Sequence, residues 1–411
     1  MRNFGRAACA VGIAVSIALT SACGSDSDSP ADPAEPVVDL ASLNVGGFPT
    51  QIKPYDKVNS IELAKLIEAE RLANYLPLPS EIMPEVKYAP SAQGGAVRPF
   101  IDFSSAAIRT RADADPDAMN EAAQGFVGGF VTTGRSDAVA NLSYELDNVV
   151  MVFSDDQAAA DAAAALGRLD LESGPDENQA VEIPDHPEAI AFTVDNISGP
   201  GQLRSWYATG KFVIFTYVYD SVMSVLKERD LPKLLERAKR SIEVITPRVA
   251  EFPATPSDQL MDLQVDPDGV LARALFTVLD DNSQRGMPGV YDRQGGLQIS
   301  SAPEVDGPLF EKTGVDRVAW RGSFLYRTRD AAAAAELIAE RTETSRKFQR
   351  ADSPQNLPNA QCHQAVNANK FEIAYYCFVS HGRYAAEVAA NQLLDAQQRI
   401  SAQYALLVNS N

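Results

Sequence analysis

Histidine, tryptophan and cysteine are scarce in this chain of 411 residues, which holds three, two and four of them. His186, His363 and His381 stand at no metal-ligand spacing from one another, from a cysteine or from a carboxylate, which argues against a zinc centre. A C-x-x-C pair is missing, and with it the framework of a disulfide oxidoreductase. No G-x-S-x-G elbow offers an obvious nucleophile setting, and no cofactor is implied. Positive charge is short as well. The balance of 36 basic against 55 acidic residues, a net charge of -19, argues against nucleic acid as a partner and against lying flat on anionic lipid. Carboxylates are abundant enough to leave a carboxylate-dependent hydrolase open.

Long apolar runs are also missing. The stretch from Ala7 to Leu19 falls short of the ~20 residues that a spanning helix needs, and no later stretch is better. With Arg2 and Arg6 ahead of it and small residues behind, it has the pattern of a secretory signal over residues 1–22. Leu19-Thr20-Ser21-Ala22-Cys23 resembles the bacterial lipobox, in which the cysteine takes a diacylglycerol and becomes the first residue after cleavage. An ordinary signal peptide is the alternative. Lipidation at Cys23 makes the membrane a partner through acyl chains alone, each buried CH₂ contributing ~0.8 kcal/mol. It also places the protein on the outer face of the cytoplasmic membrane. Residues 23–42, rich in Gly, Ser, Asp, Pro and Ala, read as a flexible acidic tether.

Once Cys9 leaves with the leader and Cys23 is acylated, Cys362 and Cys377 remain in an oxidising compartment and are expected to pair. The intervening segment has turn-prone Asn367-Ala368-Asn369-Lys370 at its centre, so a hairpin brings the cysteines face to face. Closing that loop contributes roughly 3 kcal/mol.

An internal repeat organises the rest. "MVFSDDQAAADAAAALG" (151–167) matches "FLYRTRDAAAAAELIAE" (324–340), and "SWYATGKFVIFTY" (205–217) matches "CFVSHGRYAAEVA" (377–389), at offsets of 173 and 172. The same offset sets Cys377 on Ser205 and Cys362 on Ile190. Asp115-Pro116 and Asp266-Pro267 both read as helix starts, and the copies close on "LLERAKRSIEVITPRVAEF" and "QLLDAQQRISAQYALLVNS". About thirteen extra residues, containing "SVMSVLKERDLPK", precede the closing helix of the first copy alone. Each copy reads helix-strand-helix-strand-strand-helix. The expected fold is α+β: two tandem repeats in a pseudo-two-fold arrangement, with mostly antiparallel sheets and helices on one face. The N-terminal domain is set at 43–255, with its repeat at about 115–249, and the C-terminal domain at 256–411, with its repeat at about 266–409. Within the first domain, Asn59 and Glu62 suggest a capping box for a helix that docks on the body.

Two near-motifs read as structure. Gly129 to Ser136 has P-loop spacing with Arg135 in place of the lysine, and its glycines fit a turn or tight packing better. "QVDPDG" (264–269) lacks the first acid of a calcium loop and fits a helix cap. Trp206 and Trp320 fall on strands of different copies, either in the core or lining a groove between the repeats. His363 and His381 either approach each other across the disulfide hairpin or sit exposed at loops and edges.

"LNVGGFPT", "AERLANYLPLP", "VVMVFSDDQAAADAAA" and the closing "GRYAAEVAANQLLDAQQRISAQYALL" together resemble an uncharacterised family of actinobacterial cell-envelope lipoproteins. The hairpin, paired cysteines and terminal helix are also similar to extracellular sensor domains of mycobacterial-type Ser/Thr kinases, which implies ligand sensing by analogy. The expected function is non-catalytic binding of a small molecule, lipid or envelope glycan between the repeats, with a structural or protein-interaction module as the alternative.

Overall fold

Strand Tyr144–Phe153 is apolar on both sides: Leu146, Val150 and Val152 face one layer of helices, and Val149, Met151 and Phe153 face another. A strand of this kind has to be covered twice. The computed structural model describes residues 37–410 apart from 56, 91–97, 198, 278–287 and 367–372. The leader, Cys23 and the hairpin turn Asn367–Lys370 therefore lie outside the described residues. All that is described belongs to one compact unit.

The first half opens with α1 (Ile61–Leu72), α2 (Pro79–Ile82), β1 (Pro99–Phe100), α3 (Ala106–Arg109) and α4 (Pro116–Ala122). It continues with β2 (Phe126–Arg135), β3 (Tyr144–Phe153), α5 (Asp156–Glu172), β4 (Asn178–Ile183), β5 (His186–Val194), β6 (Gln202–Thr209), β7 (Phe212–Asp220), α6 (Ser221–Leu226) and α7 (Leu231–Ala250). The second half holds β8 (Gly289–Tyr291), α8 (Arg293–Gln298), α9 (Pro303–Thr313), β9 (Arg317–Trp320), β10 (Phe324–Arg327), α10 (Ala331–Arg341), β11 (Phe348–Ala351), β12 (Gln361–Ala365), β13 (Tyr375–His381), β14 (Tyr384–Ala390) and α11 (Leu393–Val408). The strands form two antiparallel seven-stranded sheets, β1-β2-β3-β7-β6-β5-β4 and β8-β9-β10-β14-β13-β12-β11. The α+β class holds, and the two sheets have the same order.

Several details differ from the sequence reading. Each sheet has seven strands where three per copy were expected. Helices cover both faces of each sheet instead of one: α1 and α7 against α3, α4 and α5 in the first half, α11 against α8, α9 and α10 in the second. Asp115 caps α4 as expected, but Asp266 caps only the short 3₁₀ turn Leu271–Arg273, accepting from Leu271 N and Ala272 N. Ser60, not Asn59, caps α1 by accepting from Leu63 N. Leu43 and its neighbours, placed with the first domain, pack on the second sheet and α11. In the unstapled hairpin Ser205 opposes Ala191, one residue off the expected Ile190.

The two halves meet through α1 and the turn that follows it. Asp292 N donates to Asn74 Oδ1 at 3.1 Å, and Gln298 Nε2 donates to the carbonyls of Leu76 and Pro77, each at 3.1 Å. Tyr291 of β8 stands edge-on to Phe130 of β2 and joins the first half's core. Glu70 is buried in this junction, its carboxyl packed against Gly289, where an added Cβ would meet it at 2.6 Å. Burial pushes that carboxyl well above the usual range. An unfolded glutamate ionises near about pH 4.3, whereas folded Glu70 keeps its proton to higher pH. The stability carried by that proton is full below the unfolded value and drains as pH rises through the folded one. Glu70→Gln has nothing to lose in that window, so its stability relative to wild type is expected to climb from pH 4.5 to 8. Denaturant midpoints of both proteins across that range check the sign.

Candidate functional site

Cys362 and Cys377 are direct Cα partners across β12 and β13 and form a disulfide, with the Cα atoms 4.1 Å apart. It is buried under α11, which fits a structural bond. Trp206 and Trp320 are buried in their separate sheets, at 1% and 4% exposure. Trp206 stacks on Phe215 at 4.0 Å and donates to Asp170 Oδ2 at 3.1 Å. Trp320 opposes Gly289 and Phe324. Neither lines a groove, and the cavity described where the halves meet has room for little more than a water-sized occupant.

His363 opposes Tyr376 on β13 and His381 opposes Tyr384 on β14, so the register does not set the two histidines against each other. His363 is buried, not exposed. Burial and the nearby Arg350 lower its pKa. Among the described residues no group of His, Cys, Asp and Glu is placed to hold a metal ion. Gly129 to Arg135 is strand, not loop. A Cβ at Gly129 meets the Phe100 ring, and one at Gly134 meets Pro79 and Val86, so tight packing accounts for these glycines.

The site that stands out is built by the extra residues of the first copy. β14 runs into α11 within three residues, but after β7 the chain adds α6 before α7 begins. Asp220 caps α6 by accepting from Met223 N at 3.0 Å, and Lys227 ends it in the left-handed region at φ 56°. The turn Gly199–Gly201 packs under it so closely that Gly201 has no space for a Cβ against the Asp220 carbonyl. The result is a short helix held across a cleft of about 460 Å³, with Leu142, Val222, Met223 and Leu226 on its walls.

Its walls are apolar and open. Leu142 and Leu226 are 63% and 62% exposed, with Val222 half-exposed beside them; Val225 of the same helix, outside the lining itself, is 72% exposed, and Val139 is exposed next to Leu142. A lone exposed aliphatic is ordinary, but a contiguous group marks an interaction surface. The floor is polar and rigid. Arg237 of α7 donates to Asp220 Oδ2 at 2.8 Å and lies 3.5 Å over the Tyr144 ring, whose hydroxyl donates to Glu85 Oε1 at 2.6 Å. Burial and Glu85 together raise the Tyr144 pKa, so the phenol keeps its proton. The rim carries ion pairs of mixed sign, Arg229 with Asp195 at 2.7 Å and Lys233 with Asp230 at 3.0 Å.

A carboxylate-dependent hydrolase needs a carboxyl of raised pKa in a cleft. Burial raises Glu70, Asp170 and Asp292, but none of them lines this one. Sequence reasoning noticed the added segment without assigning it a role. The signal was its composition, since "SVMSVL" places valines and a leucine where the second copy has nothing.

Family models for the N-terminal and C-terminal parts of a domain of unknown function, DUF7373, match residues 55–265 and 270–410. Comparison with curated proteins and with solved structures gives no match.

Proposed function

Because the chain belongs to the DUF7373 family, a domain without an assigned function, we propose its role from its geometry: a docking protein of the bacterial cell envelope whose α6 cleft receives an aliphatic segment of a partner protein. The observation that carries this reading is the exposed group of Val222, Val225 and Leu226 on α6, an element that only one half possesses, with Leu142 facing Val222 and Leu226 across the cleft. A protein partner fits better than lipid, since the rim has paired charges of both signs, as protein interfaces do, and the chain is acidic overall. Lipidation at Cys23 and residence on the outer face of the cytoplasmic membrane belong to the same proposal, supported by the lipobox-like Leu19–Cys23 and the likeness to actinobacterial envelope lipoproteins. Two tandem repeats in a pseudo-two-fold arrangement are part of it too, supported by the shared strand order. A small molecule, lipid or glycan held between the repeats gains no support from a junction that α1 and its turn occupy down to a cavity of about 10 Å³.

The test is chemical crosslinking in cells, followed by purification of the full-length protein, with wild type and the double variant Val225→Asp/Leu226→Asp compared. Two aliphatic side chains at 1.5–3 kcal/mol each predict roughly a hundredfold or greater loss of affinity. Both positions are exposed, so the melting temperature is expected to stay the same. Equal recovery of the partner with the variant, or recovery of nothing but further copies of the chain itself, contradicts the proposal.

A further inference from the structure

Arg98, immediately before β1, is buried at 6% exposure, and its Nη1 finds no hydrogen-bond partner among the described residues. Thr133 of β2 is buried too, and its Oγ1 is equally unpartnered. Both line one cavity at the junction, walled by α2 from the first half and by Gln298, Ser300 and Pro303 from the second. Burial, reinforced by the like charge of Arg111, pulls the Arg98 guanidinium down to about 10, which still leaves it charged at neutral pH. A buried cation without a counter-charge is strongly unfavourable.

The described acids supply that counter-charge only in part. Asp147 attracts Arg98 but is shared with Arg111, whose Nε lies 2.7 Å from its Oδ2, so one carboxylate faces two guanidinium groups, and burial drives Glu70 toward its neutral form. None of the described residues lining the cavity is Asp or Glu, although the chain has 55 of them, and Lys87 adds a second cation to the wall. The interior has about 10 Å³ of water-accessible space, roughly enough for one water-sized occupant and too little for a carboxylate or phosphate group.

We propose that this cavity binds one small monovalent anion of the halide class, held by Arg98 Nη1 and Thr133 Oγ1 where the two halves meet. Its walls come from both halves, so the anion binds only the docked state and stabilises it by mass action.

Thermal unfolding of the full chain, at constant ionic strength with chloride exchanged for gluconate, tests this. Wild type is expected to gain about 2–4 °C or more with a saturable dependence on chloride. Arg98→Met and the near-isosteric Thr133→Val are expected to flatten that dependence. Should Arg98→Met fail to fold, Thr133→Val decides together with crystals grown in bromide, where an anomalous peak is expected within hydrogen-bonding reach of Arg98 Nη1. A flat chloride response in wild type overturns the proposal. So does an unaltered response in Thr133→Val, which indicates a general salt effect, and so does water alone beside Arg98 in the bromide crystals.

Discussion

Replacing Asp170 with alanine is expected to cost about 3–5 kcal/mol of stability. The carboxylate is fully buried on α5 and accepts from Asp113 N at 2.9 Å, Arg204 Nη1 at 3.1 Å and Trp206 Nε1 at 3.1 Å. Alanine leaves Arg204 buried beside Asp113, whose side chain is 63% exposed, and leaves the indole N–H without an acceptor. The bonds from Arg204 and Trp206 fasten α5 to β6 and orient the Trp206–Phe215 stack, and the bond from Asp113 ties α5 to the segment between α3 and α4. Asp170→Asn keeps the shape and one acceptor oxygen, so it should fall between wild type and alanine. Guanidinium unfolding followed by tryptophan fluorescence measures both. An alanine variant as stable as wild type contradicts this assignment of the cluster.

The second large effect is expected at the disulfide. Cys362→Ala/Cys377→Ala should lose roughly 3 kcal/mol, the chain-entropy value for a loop of sequence separation 15. The cysteines oppose each other in adjacent strands and are packed beneath α11, so their removal also thins that core. The loss should be greatest in amide exchange protection along β12 and β13. The first half shows what an unstapled version looks like, with Ala191 opposite Ser205 at the corresponding place. A uniform loss of protection across both sheets contradicts a bond that acts locally.

The sequence made some of this legible because its signals are local. Spacing and compartment pointed to the cysteine pair, and alanine-rich helices after aromatic strand ends revealed matching segments in the two halves. β2 was missed because Gly128, Gly129 and Gly134 weaken the strand pattern and imitate a phosphate loop; the glycines answer to Lys65, Phe100 and Pro79, distant in sequence. β4 was missed because it is an edge strand with mixed polarity. Burial of Glu68 and Glu70 on α1 runs against helical patterning, and partners distant in sequence explain it: Thr255 N and Oγ1 donate to Glu68, and Gly289 of the second half lies against Glu70. The α6 site was visible as extra residues, but exposure is a tertiary property. In "SVMSVLKERDLPK" nothing tells Met223, which is buried, from Val225, which is open to solvent.

The most direct test of the docking account is site-specific photocrosslinking in cells. A photoreactive amino acid is placed at position 225, with Val305 of α9, which is also surface-exposed, as control, and products are identified by mass spectrometry. The account predicts one dominant protein adduct from position 225, absent from position 305 and lost when Leu226→Asp is added. Adducts to lipid alone, or the same set of proteins from both positions, would contradict it.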